Sequence, residues 1–299
     1  MTHSDIVADL DHLGLLCVAG EGAKKLLQGQ LTCNLDEISP QLSRLGAHCN
    51  PQGRIISLSR VLMYQNQYYL QLPRAILATA LNALKKYAVF FKVTLTDASD
   101  SLSRLAYSGT QINKVFTHLP TENDAVIEQD NIIIIKLPNT AASYEMIGDP
   151  ATIAAIEKKL ALYANKTPQN TWKALEIAAG LPGIYPETSE KFLPHELNLQ
   201  LLNAISFDKG CYTGQEIIAR MQYKGKLKKH TYRAKTLSAT PPQLGADITN
   251  NQGICGTIVD FAEVGYNIYD LLILITETDA TAAGLFLDAE RKNAIEILG

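Results

Sequence analysis

The residues with the most evident chemical potential lie in FLPHELNLQLLNAISFDKGCYTGQEIIARMQYKGKLKKH, residues 192–230, where a thiol, several lysines, turn formers and a helix start crowd together. Cys211 stands two residues after Lys209 and just before a helical pattern through Ile217, Ile218 and Met221. Unsatisfied amides at a helix start and a nearby ammonium both favour a thiolate, so this is a reactive-cysteine environment. Thr213 to Glu216 has the form of a capping box, with Thr213 expected to satisfy the Glu216 amide while the Glu216 side chain reaches back. Gly210 and Gly214 suit close approach of backbone to a ligand, whose carboxylate or phosphate the amides there would hold. The plainer alternative is a packed cysteine in a tight turn beside a solvated lysine, and the residues by themselves leave both open.

Other reactive residue types form no constellation. The five cysteines, Cys17, Cys33, Cys49, Cys211 and Cys255, are dispersed without a C-x-x-C pair, which argues against a disulfide framework, a zinc site or a resident iron–sulfur cluster. His48, His118, His195 and His230 lack paired metal-ligand spacing. The lysines at 224, 226, 228 and 229 read as a solvated face, or as attraction for the anionic tail of a ligand or for RNA.

These residues need elements to hold them. EGAKKLLQGQL has helical spacing, and LGAHCN, PQG and RIISLSRVLMY read as strand, turn and strand. LPRAILATALNALKKY follows as an amphipathic helix with its stripe on Ile76, Leu77, Ala80, Leu81, Leu84 and Tyr87. Asp130-Asn131 marks a hairpin turn, and Asp149-Pro150 caps a helix whose buried face carries Ile153, Ile156, Leu160 and Tyr163. Beyond Lys229, three strand candidates separated by Pro241-Pro242, Asn250-Asn251 and Gly265 predict a small β-barrel, which removes exposed strand edges. The division expected is 1–96, 97–228 and 229–299, in an α+β fold.

With 299 residues, 46% hydrophobic and 19% charged, the chain can build a sizeable core and shows no low-complexity tract. A net charge of -3 excludes a whole-molecule field for nucleic acid. The first residues lack the basic start and apolar run of a signal peptide, and no apolar run is long enough to span a bilayer. A cytoplasmic protein without a membrane association is expected.

Lys209 to Glu216, KGCYTGQE, resembles the signature octapeptide of the YgfZ family of folate-binding proteins. FLPHELNLQ and ARMQYKG extend the likeness, and LLQGQLTCNL, AHCNPQGRI, ALEIAAGLPGIYPE and GICGTIVD are similar to further family segments. The resemblance implies a three-lobed, aminomethyltransferase-like ring of mixed sheets with helices and a C-terminal β-barrel. It also implies a central cavity for tetrahydrofolate or a related reduced folate. By that likeness Glu176, in the E-I-A-A-G segment, meets the pterin, with Lys209, Gln28, Gln30, Asn34 and Gln215 as further folate-binding residues and Cys211 as a reactive thiol. No metal site is implied. The implied role is an accessory protein that supports iron–sulfur enzymes, including those that modify tRNA, with direct tRNA binding a lesser expectation. The alternative is a folate-dependent aminomethyl or one-carbon transferase. Against it, the aspartate by which the aminomethyltransferases assist the folate nitrogen aligns with Ala80, which cannot handle a proton.

Overall fold

The computed structural model describes residues 5–138, 142–225, 227–282, 284–288 and 290–298. Its first half contains strands β1 (Ile6–Asp9), β2 (Leu13–Ala19), β3 (Arg44–Cys49), β4 (Ile55–Tyr64), β5 (Gln67–Pro73), β6 (Thr94–Asp97), β7 (Ser103–Ser108), β8 (Val126–Gln129), β9 (Ile132–Lys136) and β10 (Ser143–Gly148). Helices α1 (Ala23–Gln30) and α2 (Arg74–Ala88) lie among them. Then come α3 (Pro150–Leu160), β11 (Asn165–Lys166), α4 (Gln169–Ala178) and α5 (Gln215–Lys224). The last part holds β12 (Lys229–Leu237), β13 (Asp247–Asn250), β14 (Gly253–Gly265), β15 (Ile268–Thr276), α6 (Glu277–Thr281), β16 (Leu285–Phe286) and β17 (Ala294–Leu298).

The strands form a five-stranded sheet in the order β3-β4-β5-β2-β6, a six-stranded sheet in the order β11-β1-β7-β10-β9-β8, and a closed six-stranded barrel of β12 to β17. The fold is α+β. Strand β1 sits inside the six-stranded sheet, antiparallel to β7 and parallel to β11, so the chain enters one sheet and crosses to the other within its first twenty residues. The Asp130-Asn131 turn takes positive φ at both residues, which is the geometry a tight two-residue hairpin demands. Asp149 caps α3 by accepting from the Thr152 amide at 3.0 Å, with Pro150 in the first turn.

Alternation along the strands sorts the side chains into layers. Leu16, Val18, Val61, Leu70 and Leu72 pack under α1 and α2. From the opposite face, Leu15, Leu62, Tyr64 and Tyr69 meet Ala106, Ile133, Ile135 and Ile147 of the six-stranded sheet, so the two sheets pack face to face. Helix α3 covers the outer face of that sheet through Ile153, Ile156 and Leu160, whereas Tyr163 lies past the helix end and is exposed, against expectation. Each fully buried aliphatic side chain in these layers contributes roughly 1.5–3 kcal/mol. Ala80 is buried in the layer between α2 and its sheet. An aspartate there would lie in apolar packing on the side away from the other sheet, so Ala80 says nothing about proton handling in a cavity between lobes.

Candidate functional site

A central cavity, with about 80 Å³ of open room, lies where the two sheets, the barrel and the segment after α4 meet. Arg60 on β4 and Gln71 on β5 enter it as register partners, each an inward position of an otherwise apolar strand. Glu145 comes from β10 of the second sheet, Asp260 from β14 of the barrel, His12 from the turn between β1 and β2, and Glu176 from α4.

The end of α4 decides how this wall is built. Gly180 takes φ +71°, the Leu181 amide donates back to the Glu176 carbonyl at 2.9 Å, and the Gly180 amide to the Ile177 carbonyl at 3.0 Å. This is the left-handed stop that ends a helix within one residue. The chain then turns Gly183 and Tyr185 onto Asp260, which accepts from the Gly183 amide at 3.0 Å, the Phe261 amide at 2.8 Å and the Tyr185 hydroxyl at 3.3 Å. Lys173, one turn before Glu176, pairs with Asp260 at 2.6 Å and lies over the Tyr185 and Phe261 rings. Helix α4 is thereby clamped to the barrel.

The cavity is electrically unusual. Burial, then the neighbouring Glu145 and Asp260 carboxylates, push Glu176 up to about 8 against the pull of Lys173. Burial raises Glu145 as well, with Arg60 opposing, and raises Asp260 despite its lysine. His12 is pushed down to about 4 by burial first and by Lys173 and Arg104 second, so it is neutral near pH 7. Both ring nitrogens of His12, both polar atoms of the Gln71 amide and Oε2 of Glu145 are buried without a hydrogen-bond partner among the described residues. Gln71 lies near enough to favour a charged Glu145, but without hydrogen-bond geometry. Such orphaned groups cost free energy in an otherwise satisfied interior and mark a place for a polar ligand or water.

The signature segment forms a second cluster. Lys209 is buried and donates to the carbonyls of Leu31 and Cys33, both at 2.7 Å, with Tyr212 beneath its ammonium. Burial lowers its proton affinity to about 8. The Thr213 amide donates to the Gly29 carbonyl at 3.1 Å and the Thr213 hydroxyl to Gln30 Oε1 at 3.3 Å. Gln28 spends its amide on Asn34 at 2.8 Å and on the Leu35 amide at 2.7 Å. The expected capping box does not form: α5 starts after Gly214 at φ +83°, with no side-chain cap. A Cβ on Gly214 would stand 2.7 Å from the Asn50 carbonyl, so its close approach is to the chain's own NPQG turn and not to a ligand. Competition from that docking, with Thr213 turned to Gln30, is what displaces the cap. Cys211 is exposed, and the other four cysteines are buried.

The structure thus gathers Lys209, Gln28, Gln30, Asn34 and Gln215 around the segment that presents Cys211, and none of these residues lines the central cavity, where Glu176 stands. His12, Arg60, Gln71, Glu145, Lys173, Tyr185 and Asp260 were not singled out from the sequence. For Arg60, Gln71, Glu145 and Asp260 the signal was a charged or amide residue set within SLSRVLMY, YYLQLP, SYEMIG and TIVDFA, which are strands too apolar to face water. Among the described residues, no group of three or more His, Cys, Asp or Glu is placed to hold a metal ion, and no helix is long and apolar enough to cross a membrane.

No family model matches the chain. Curated relatives do. The chain is 38% identical over 225 residues to the tRNA-modifying protein YgfZ of Colwellia psychrerythraea, covering 74% of this chain and 68% of that one. It is 34% identical over 244 residues to the protein of the same name from Yersinia enterocolitica, covering 80% and 73%. Among solved structures, the glycine cleavage system aminomethyltransferase T from Bartonella henselae aligns over 100% of this chain and 86% of its own at a TM-score of 0.77 and 17% identity, a likeness of fold. With identity at this level spread over most of its length, the chain belongs to the YgfZ family of tRNA-modifying proteins.

Proposed function

We propose that the central cavity binds tetrahydrofolate or a related reduced folate, and that the protein is a cytoplasmic accessory of tRNA modification that sustains iron–sulfur enzymes. The observation that carries the folate half is the set of buried, unpartnered polar atoms of His12, Gln71 and Glu145 ringing Glu176 in a cavity between lobes. A pterin presents adjacent amide and amino N–H groups, which a carboxylate accepts in parallel, and Glu176 takes that role on giving up the proton that it holds below about 8 in the free cavity. Gln71 supplies both a donor and an acceptor, and neutral His12 one of each. Tetrahydrofolate, when bound, supplies ring nitrogens that carry one-carbon units. Lys209, Gln28, Gln30, Asn34 and Gln215 are assigned to holding the segment of Cys211, whose exposed thiol carries the support of iron–sulfur enzymes.

Titration calorimetry with tetrahydrofolate tests the first half. Binding by the wild type and at least about a ten-fold loss in Glu176→Ala, a charge-assisted hydrogen-bond pair removed, is expected; no heat and no competition at millimolar ligand overturns it. For the second half, Cys211→Ala should retain folate affinity and fail to restore iron–sulfur enzyme activity in cells lacking the protein. Full complementation makes the thiol structural.

A second reading, a one-carbon transferase, draws support from the cavity carboxylates, because Glu176 and Glu145 with raised proton affinities are placed for acid–base work. Methylenetetrahydrofolate formed from an aminomethyl donor would establish it; silence across donors would remove it.

A further inference from the structure

Residues 217–246 contain Arg220, Lys224, Lys226, Lys228, Lys229, Arg233 and Lys235 and not one Asp or Glu, in a chain with 30 acids and a net charge of -3. Lys226 and the Lys224 side chain lie outside the described residues; Arg220 and Lys228 are exposed. Of the described members, Lys235 is ion-paired, to Asp270 at 3.8 Å, and no carboxylate among the described residues pairs with Arg220, Lys228 or Lys229. A solvated charge face normally intersperses both signs, whereas this stretch of chain carries one sign, its nearest acids being Glu216 at the start of α5 and Glu277 beside the start of β12.

An aromatic stack interrupts the charge. Tyr223 is 71% exposed, and its ring meets Phe207 edge-on at 6.0 Å, while Phe207 lies 6.0 Å from the buried His195 ring. His195 Nε2 is in turn 3.2 Å from Gln222 Oε1, so the end of α5 is fixed to the segment beneath it. The start of β12 is tied to the same segment, by Asn198 donating to the Thr231 carbonyl at 3.0 Å and Thr231 to the Glu196 carbonyl at 2.8 Å. Helix end, strand start and aromatic platform are one built surface.

We propose that this surface binds RNA, with the phosphates on Arg220, Lys228 and Lys229 and an unpaired base stacked on Tyr223. An exposed aromatic held from below among spaced cations is the arrangement that single-stranded nucleic acid requires, because every base offers a π-face and every linkage a charge. An amphipathic face for a membrane is absent from α5, whose apolar Ile218 is buried in the core. The surface is separate from the central cavity, and its reading does not depend on folate.

Fluorescence anisotropy with the full chain, a labelled unmodified tRNA transcript, a short unpaired RNA and an RNA duplex of equal length tests this. The wild type should bind the first two more tightly than the duplex. Tyr223→Ala should weaken both by about ten-fold with an unchanged salt dependence, and Tyr223→Phe should retain binding. Lys228→Ala with Lys229→Ala should lower the slope of log affinity against log salt by about 1.4. Tyr223, Lys228 and Lys229 are surface positions, and thermal melts check that each variant is folded. Absence of wild-type binding at low salt overturns the proposal. So do equal affinity for duplex and single strand together with no loss in Tyr223→Ala, which would leave only a general polyanion effect. Failure of tetrahydrofolate to bind would leave these results unchanged.

Discussion

Glu176 is a carboxyl group whose surroundings disfavour its charge: burial first, then Glu145 and Asp260. The folded protein therefore holds a proton that the unfolded chain, with an ordinary glutamate near 4.5, has released. The stabilisation is fully present below the ordinary value and is lost as pH rises through about 8. Urea unfolding without ligand should show stability falling by up to about 1.4 kcal/mol per pH unit between about pH 6.5 and 8, above the range in which His12 and His48, both held near 4 by burial, act in the opposite sense. Glu176→Gln should flatten the curve; an unchanged slope would place the proton elsewhere. The family likeness pointed to Glu176 from its place in the E-I-A-A-G segment, whereas the residues around Cys211 left both a presented and a packed thiol open, and the structure shows it exposed. Arg60, Gln71, Glu145 and Asp260 show in the sequence only as polar residues within strands too apolar to face water, which says that each is buried and not that the four meet in one cavity.

Elements were read well where a local rule acts alone and poorly where two segments compete. Helices α2 and α3 follow from apolar spacing and from the Asp149 cap. The start of α5 does not, because Thr213 prefers Gln30 and Gly214 must pass under the Asn50 carbonyl, a contact between residues far apart in the chain. Gly53, at φ +74°, answers from the other side, its place for a Cβ being 3.1 Å from Ile217. Gly214→Ala should therefore cost about 2–3 kcal/mol, from the left-handed backbone and the steric conflict together. Denaturant titration measures the loss, and hydrogen exchange should quicken at the Thr213 amide, which donates to Gly29. A neutral substitution would mean that the two turns are not tightly docked.

At the scale of the whole molecule, Asp260 joins the barrel to α4 and to the loop that follows it. Asp260→Ala strands the half-buried Lys173 and frees the Gly183 and Phe261 amides, so a loss of about 3–5 kcal/mol is expected in calorimetric unfolding. The same change removes a negative neighbour of Glu176, and the pH window of its titration should move downward. A melt like that of the wild type would show that the barrel is held by apolar packing alone. The barrel itself was legible as a run of strand candidates, whereas the interleaving of sheets was not, since pairing between distant strands leaves no mark in a local window. Strand β1 pairs Ile6 with Ser108 and Val7 with Lys166. On a ribosome moving at roughly 5–20 residues per second, this segment emerges several seconds before any partner exists. The apolar Val7, Ala8 and Leu10 must remain unaggregated through that interval, so a nascent chain halted before β7 should be captured by chaperones at its leading strand, and one released after β11 should not.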